Sequence, residues 1–179
     1  MNVDQVIAQI KAYTKFFNHD GAAQVAGAAE AAQVVDKAWL KRPAAYVIAL
    51  DDAAGDNMSM NGLDQDVEES IAVIVDLDNT PDQRGQFAAS TVDQARADLF
   101  SCLLNWLPGG ANASRGFQYG GGHLIQLDRA RLHWQFRFSL KILITDGDGW
   151  QAPSEPITEI DATLLDPDTE QATDIKFRV

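Results

Sequence analysis

A chain of 179 residues, 46% hydrophobic and 22% charged, has the make-up of one soluble domain with room for an appendage. Its formal charge of −12 is uneven: nine acidic and two basic residues fall in 146–179, a surface that repels phosphate and excludes ordinary gripping of nucleic acid. No run approaches the roughly 18 apolar residues of a membrane span, no basic and then apolar leader opens the chain, and the lone Cys102 excludes a disulfide framework, so a cytosolic product is expected.

The opening "MNVDQVIAQIKAYTKFF" places Val3, Val6, Ile7, Ile10 and Phe17 on one helical face, with Asn2 as N-cap and Gln5 completing a capping box. "NHDG" (18–21) breaks this helix. An extended piece at Gln24–Ala26, a joint at Gly27 and a helical segment over 28–37 follow. Pro43 stops what precedes it, and Tyr46, Val47, Ile48 and Leu50 form a short buried strand. Residues 51–66 carry turn chemistry throughout, including Asn61-Gly62, and predict a long loop. "VEESIAVIVDLD" (67–78) predicts a second strand, with Val67, Ile71, Val73 and Val75 on one face.

The main helix starts at Thr80 as N-cap, with Pro81 at the first helical position and Gln83 three residues on. Its stripe runs Phe87, Val92, Ala95, Leu99, Cys102, Leu103, Trp106, and Pro108-Gly109-Gly110 ends it. A long hairpin comes next. From Leu132 to Ile144 every even position is apolar, and pairing Leu127 with Leu132 keeps one dry face by setting Ile125 beside Trp134, His123 beside Phe136 and Gly121 beside Phe138. In that register Gly121 seats the Phe138 ring, the glycines mark a bend or bulge where the hairpin twists or a close approach by another backbone, and His123 and His133 face opposite sides. "GGGH" lies inside a strand and lacks phosphate-loop spacing. A strand of this length spans on the order of 45 Å, more than one helix layer of a small domain covers, so part of it is expected to project. Beyond Thr145 the alternators Ile160, Ala162, Leu164 and Ile175, Phe177, Val179 form either a local hairpin about 166–170 or an arm that adds to a neighbour's sheet.

The expected architecture is therefore α/β (α+β): a mainly antiparallel, mixed sheet with a long hairpin, packed on one face by two helices. A domain over 1–145 is followed by an acidic arm over 146–179. Catalytic signatures are absent. His19, His123 and His133 have no ligand spacing, the serines lack a nucleophile-elbow context, and no cofactor is implied. The carboxylates Asp51, Asp52, Asp56, Asp64 and Asp66 leave a metal-dependent enzyme as the alternative from another class.

The order "RPAAYVIAL", "DDAAGDN", "DQDVEESIAVIVDLDN", "DQRGQFAASTVDQARADLFSCLLNWLPG" and "FQYGGGHLIQLDRARLHWQF" resembles the tail terminator proteins of long-tailed bacteriophages over residues 1–145. The resemblance implies a non-enzymatic α/β subunit that assembles as a ring, usually sixfold. Such a ring sits on the last ring of the tail tube, halts its polymerisation and offers a surface to head-completion proteins. Genomic DNA passes through its lumen without specific binding, and no membrane is involved. The implied location is the head-proximal end of the tail, after assembly in the host cytoplasm. A neck adaptor or tail-completion protein is the neighbouring alternative. The expected contact residues are Asp51, Asp52, Asp56, Asn57, Met58 and Met60 in the loop; Gly120, Gly121, Gly122, Arg131 and Arg137 in the hairpin; and Ile175 and Phe177 in the arm.

Overall fold

Two amphipathic strands set the frame. In the computed structural model, which describes residues 2–29, 35, 40–79, 86–128, 130–153, 159–165 and 172–178, β6 (Asp64–Asp78) and β8 (Arg131–Thr145) pair antiparallel along their whole lengths with no register break. Fifteen residues at about 3.4 Å each make a ribbon roughly 50 Å long. The apolar positions meet across it: Leu77 with Leu132, Val75 with Trp134, Val73 with Phe136 and Ile71 with Phe138.

The outer edge of β6 carries two strands in succession, β4 (Ala44–Ala49) and β5 (Ala53–Asn57). β3 (Val25–Gly27) lies parallel to β4, and β7 (Gln118–Leu127) flanks β8, so the sheet runs β3-β4-β6-β8-β7 with β5 continuing the β4 edge. A small separate hairpin, β1 (Asn18–His19) with β2 (Ala22–Ala23), sits where "NHDG" was read as a break.

β5 corrects the long loop expected over 51–66. Only 58–63 turns; 53–57 is strand, and 64–66 begins β6. Every β5 residue is exposed. Apolar periodicity reports burial rather than extension, so a strand held only by its ladder to β6 leaves no such mark.

Helix α1 (Val3–Tyr13) and helix α2 (Gln86–Leu103) cover one sheet face. Val6 and Ile10 from α1, and Val92, Ala95, Leu99, Cys102 and Leu103 from α2, bury against Val73, Val75, Phe136 and Phe138. The Asn2 side chain caps α1 by accepting from the Asp4 N–H at 2.9 Å. The Gln5 side-chain amide reaches across to donate to the Gly109 carbonyl at 3.5 Å. Phe17 reaches the core from beyond the helix, after the Thr14 cap. The expected α2 cap at Thr80–Gln83 and the Phe87 side chain lie outside the described residues, as does nearly all of the helix expected over 28–37.

α2 ends at Leu103, short of Trp106. Asn105 turns into the left-handed region (φ 61), after which the chain crosses itself: Asn105 N–H donates to the Phe117 carbonyl at 3.1 Å and Phe117 N–H to the Trp106 carbonyl at 3.0 Å. The crossing needs Gly116, where any side chain would run into the Asn105 backbone. Trp106 stacks on Phe117 (centroids 5.8 Å, 7° between planes).

On the sheet's other face Ala44, Tyr46 and Ile48 of β4 and Ala72 and Ile74 of β6 form a second core. Burial on both faces explains why these strands read as continuous apolar runs. The residues divide into two compact units, Met1–Asp148 and Gly149–Val179. The second holds β9 (Glu159–Leu165) paired antiparallel with β10 (Ala172–Arg178), the local hairpin of the two alternatives; its turn lies outside the described residues.

Candidate assembly surfaces

The far end of the ribbon is a built turn. Asn57 organises it: its side-chain oxygen accepts from the Ser59 N–H (3.1 Å) and the Asp64 N–H (2.9 Å), and its amide donates to the Gly62 carbonyl (2.9 Å). Met58 N–H closes on the Asp64 carbonyl at 2.7 Å. From the end of β8, Asp146 accepts the Leu63 N–H at 2.6 Å, tying the tip to the neighbouring strand. Met60, fully exposed, and Met58, 63% exposed, project from this frame. Asp51 and Asp52 are exposed between β4 and β5, and Asp56 is exposed on β5. The tip therefore gathers Asp56, Asn57, Met58 and Met60 on one rigid, acidic, apolar-ended projection.

The dry face of β8 outruns the helices near this end. There Leu140, Ile142 and Ile144 meet the 108–112 segment and the start of α1 around a groove of about 400 Å³. The sequence reading missed this groove, although the surplus Ile142 and Ile144 beyond the helix stripe signalled it.

The glycine triplet lies on β7, but the structure corrects its register. Leu127 does face Leu132, and extra residues at Ile125 and Gly120 then shift the pairing by one each time. Leu124, not Ile125, stands beside Trp134; Gly122, not His123, beside Phe136; Gly121 beside Arg137; and Tyr119 beside Phe138. The first bulge releases Ile125 to pack on the second core, a burial gain that strict alternation cannot express. The ring seat expected at Gly121 is overturned as well. Gly121 takes φ 111, and it is Gly122 that lies under side chains, since a Cβ there would sit 2.8 Å from Trp134 Nε1 and 2.9 Å from the Tyr119 hydroxyl. The same shift puts His123 opposite Gln135, on the His133 side of the sheet rather than the opposite one. Arg137 runs beside Gly120 and donates to Ser70 Oγ at 2.9 Å. Tyr119, Leu124 and Leu127 remain exposed along this strand, a strip the sequence reading did not single out.

Arg131 lies at the opposite end of the ribbon from the methionines, in register with Asp78. Next to it Asp76 and His133 are buried together, with Nε2 3.4 Å from Oδ1 and no aligned hydrogen bond, and Arg42 Nε 3.6 Å from Oδ2. Burial pushes the Asp76 carboxyl above its ordinary range, opposed by His133 and Arg42; burial pushes His133 down, opposed by Asp76. The turn at this end is held by Asp128, which accepts from Ala130 and Arg131 N–H, both at 2.7 Å; these bonds hold its carboxyl below the usual range. Ile175 and Phe177 occupy β10 opposite Ala162 and Ile160.

The acidic residues after Leu50 do not converge. Asp66 pairs with Lys141 at 2.5 Å, and among the described residues no three His, Cys, Asp or Glu side chains come together as a metal-ligand group. Among the same residues no helix is long and apolar enough to cross a membrane. No curated protein matches the chain. A family model described as phage tail terminator protein matches residues 1–148, and the chain belongs to that family of phage tail structural proteins.

Proposed function

We propose that copies of this chain close into a ring on the finished end of the tail tube, stop tube polymerisation and present a surface for head attachment. The observation that carries this reading, beside family membership, is the β6-β8 ribbon: it is paired without a break, carries β5 on one edge, and ends in a hydrogen-bonded turn with two exposed methionines. An apolar tip on a rigid support loses little freedom on docking, and methionine adapts to the pocket that receives it. The Gly120–Gly122 segment of β7 and its exposed Tyr119, Leu124 and Leu127 supply a second contact region. The net charge of −12 suits a channel through which DNA slides. The test is light scattering of the purified chain, alone and with tube protein, alongside microscopy of tube lengths. Rings and capped, length-limited tubes are expected; a protein that stays monomeric and leaves tube lengths unchanged refutes the reading.

A further inference from the structure

The tip half of the ribbon is three strands wide, and its register sets Ala53 of β5, Glu68 of β6 and Lys141 of β8 in one row. Beyond β8 that row meets the 112–118 segment rather than β7. Asn112 fastens the segment to the strand edge: its carbonyl accepts the Leu143 N–H at 2.8 Å and its side-chain amide donates to the Leu143 carbonyl at 2.9 Å. Among the described residues no strand lies outside β5. The β5 edge and the 112–118 edge therefore stand at the same height on opposite sides of the sheet.

Their charges are opposite as well. The β5 edge presents Asp51, Asp52 and Asp56, all exposed and, among the described residues, without an ion pair. On the other edge Arg115, Gln118, Ser139 and Lys141 line a cleft of about 350 Å³ together with Glu68. Arg137 lies on the same sheet face as Ser139 and Lys141, one step further along β8. Lys141 is taken up by Asp66, but Arg115 and Arg137 are exposed and carry no ion pair among the described residues. Three cations against Glu68 and Asp66 leave this edge positive.

We infer that the acidic β5 edge of one copy seats against the Arg115 cleft of the next; this rests on the ring reading above. Two-fold contact of β5 with β5 would set acids against acids, and cleft on cleft would set arginines against arginines. The head-to-tail contact joins unlike charges, and contacts of that kind close into rings. Three inter-strand steps of about 4.8 Å and one side-chain contact make a copy roughly 20 Å wide between these edges, so a sixfold ring surrounds an opening on the order of 40 Å, room for a DNA duplex.

The test uses full-length Arg115→Glu, the pair Asp52→Lys with Asp56→Lys, and all three changes in one chain, each followed by light scattering with tube protein present. Each reversal by itself is expected to raise the concentration needed for ring assembly about tenfold, and the combined variant to recover most of that loss. Bulk charge predicts otherwise, because Arg115→Glu deepens the net negative charge whereas the lysine pair reduces it. Thermal melts are expected to be unchanged, since all three side chains are exposed. Should the lysines disturb β5, Asp51→Lys, which lies outside the strand, takes their place. Shifts of opposite sign, unchanged assembly in either reversal, or a combined variant no better than the worse reversal overturns the inference and leaves the ring reading standing. A wild-type chain that forms no rings with tube protein sinks both.

Discussion

Asp98 of α2 locks the two helices together, and removing its carboxylate is expected to be among the costliest single changes on the helix layer. Oδ2 accepts the Thr14 hydroxyl at 2.6 Å, and Oδ1 accepts the backbone N–H of Lys15 at 2.9 Å and of Phe16 at 3.2 Å. Thr14 is itself buried and its hydroxyl accepts the Phe17 N–H at 3.1 Å, so the carboxylate anchors the turn that delivers Phe17 to the core. Hydrogen bonds to a charged acceptor contribute about 1.5–3 kcal/mol each, but Lys15 N–H can regain water, so Asp98→Ala is expected to cost about 3 kcal/mol rather than the full sum. For a unit of this size that lowers the melting midpoint by roughly 6–12 °C. Asp98→Asn keeps an acceptor for the two backbone donors and is expected to cost about 1 kcal/mol. Asp93→Ala removes only an exposed pair with Arg96 and is expected to change stability by less than about 0.5 kcal/mol. Urea unfolding followed by circular dichroism measures all three. An Asp98→Ala loss below about 1 kcal/mol, or equal losses for Ala and Asn, would refute the anchoring argument.

Other expectations follow from the same contacts. Gly116→Ala forces a methyl into the Asn105 backbone and is expected to destabilise by more than about 3 kcal/mol, whereas Gly109→Ala, with open space around it, is expected to be near neutral; thermal melts compare the two. Replacing Met58 and Met60 with serine leaves unfolding within about 0.5 kcal/mol, because both are exposed. If each methionine buries on docking, the loss is about 1.5–3 kcal/mol apiece, at least tenfold in tube-capping titrations. The Asp76–His133 pair gives two opposite pH slopes. The lowered folded pKa of His133 means the unfolded chain binds the extra proton, so its contribution is present above about pH 6.5 and is lost as pH falls through its folded value. The raised pKa of Asp76 works the other way, with its contribution full below about pH 3.9 and lost as pH rises through its folded value. His133→Gln is expected to flatten the fall in stability below pH 6.5, and denaturant midpoints taken across pH 4–7.5 would show an unchanged slope if the pair were not the cause.

The two long strands were legible because both bury one face along most of their length, and alternation records that directly: Val73 against Phe136 and Val75 against Trp134 stand where the pattern places them. The α2 stripe was legible for the same reason from Val92 to Leu103. β5 was not, since Ala53–Asn57 bury nothing and their extension comes from ladder bonds to β6. The bulge at Ile125 was also hidden, whereas the glycine triplet marked the one at Gly120. The Ile125 bulge depends on burial of that side chain against the second core, a tertiary gain that no two-strand pattern contains. Of the candidate contact residues, the tip group was placed together because it is contiguous in the chain, whereas Arg131 and the methionines fall at opposite ends of one ribbon.

β8 thus has one neighbour that never slips and one that slips twice, which assigns the two seams different tolerance to changes of chain length. A single residue inserted in or deleted from β6 would turn every side chain beyond it to the wrong face, from the helix layer to the tip. In β7 the loss of Gly120 or Ile125 merely restores plain pairing over that stretch. Variation in length within the family is therefore expected to collect in β7 and to spare the ribbon, so that the inner seam keeps the frame while the outer strand is free to be retailored to its neighbour.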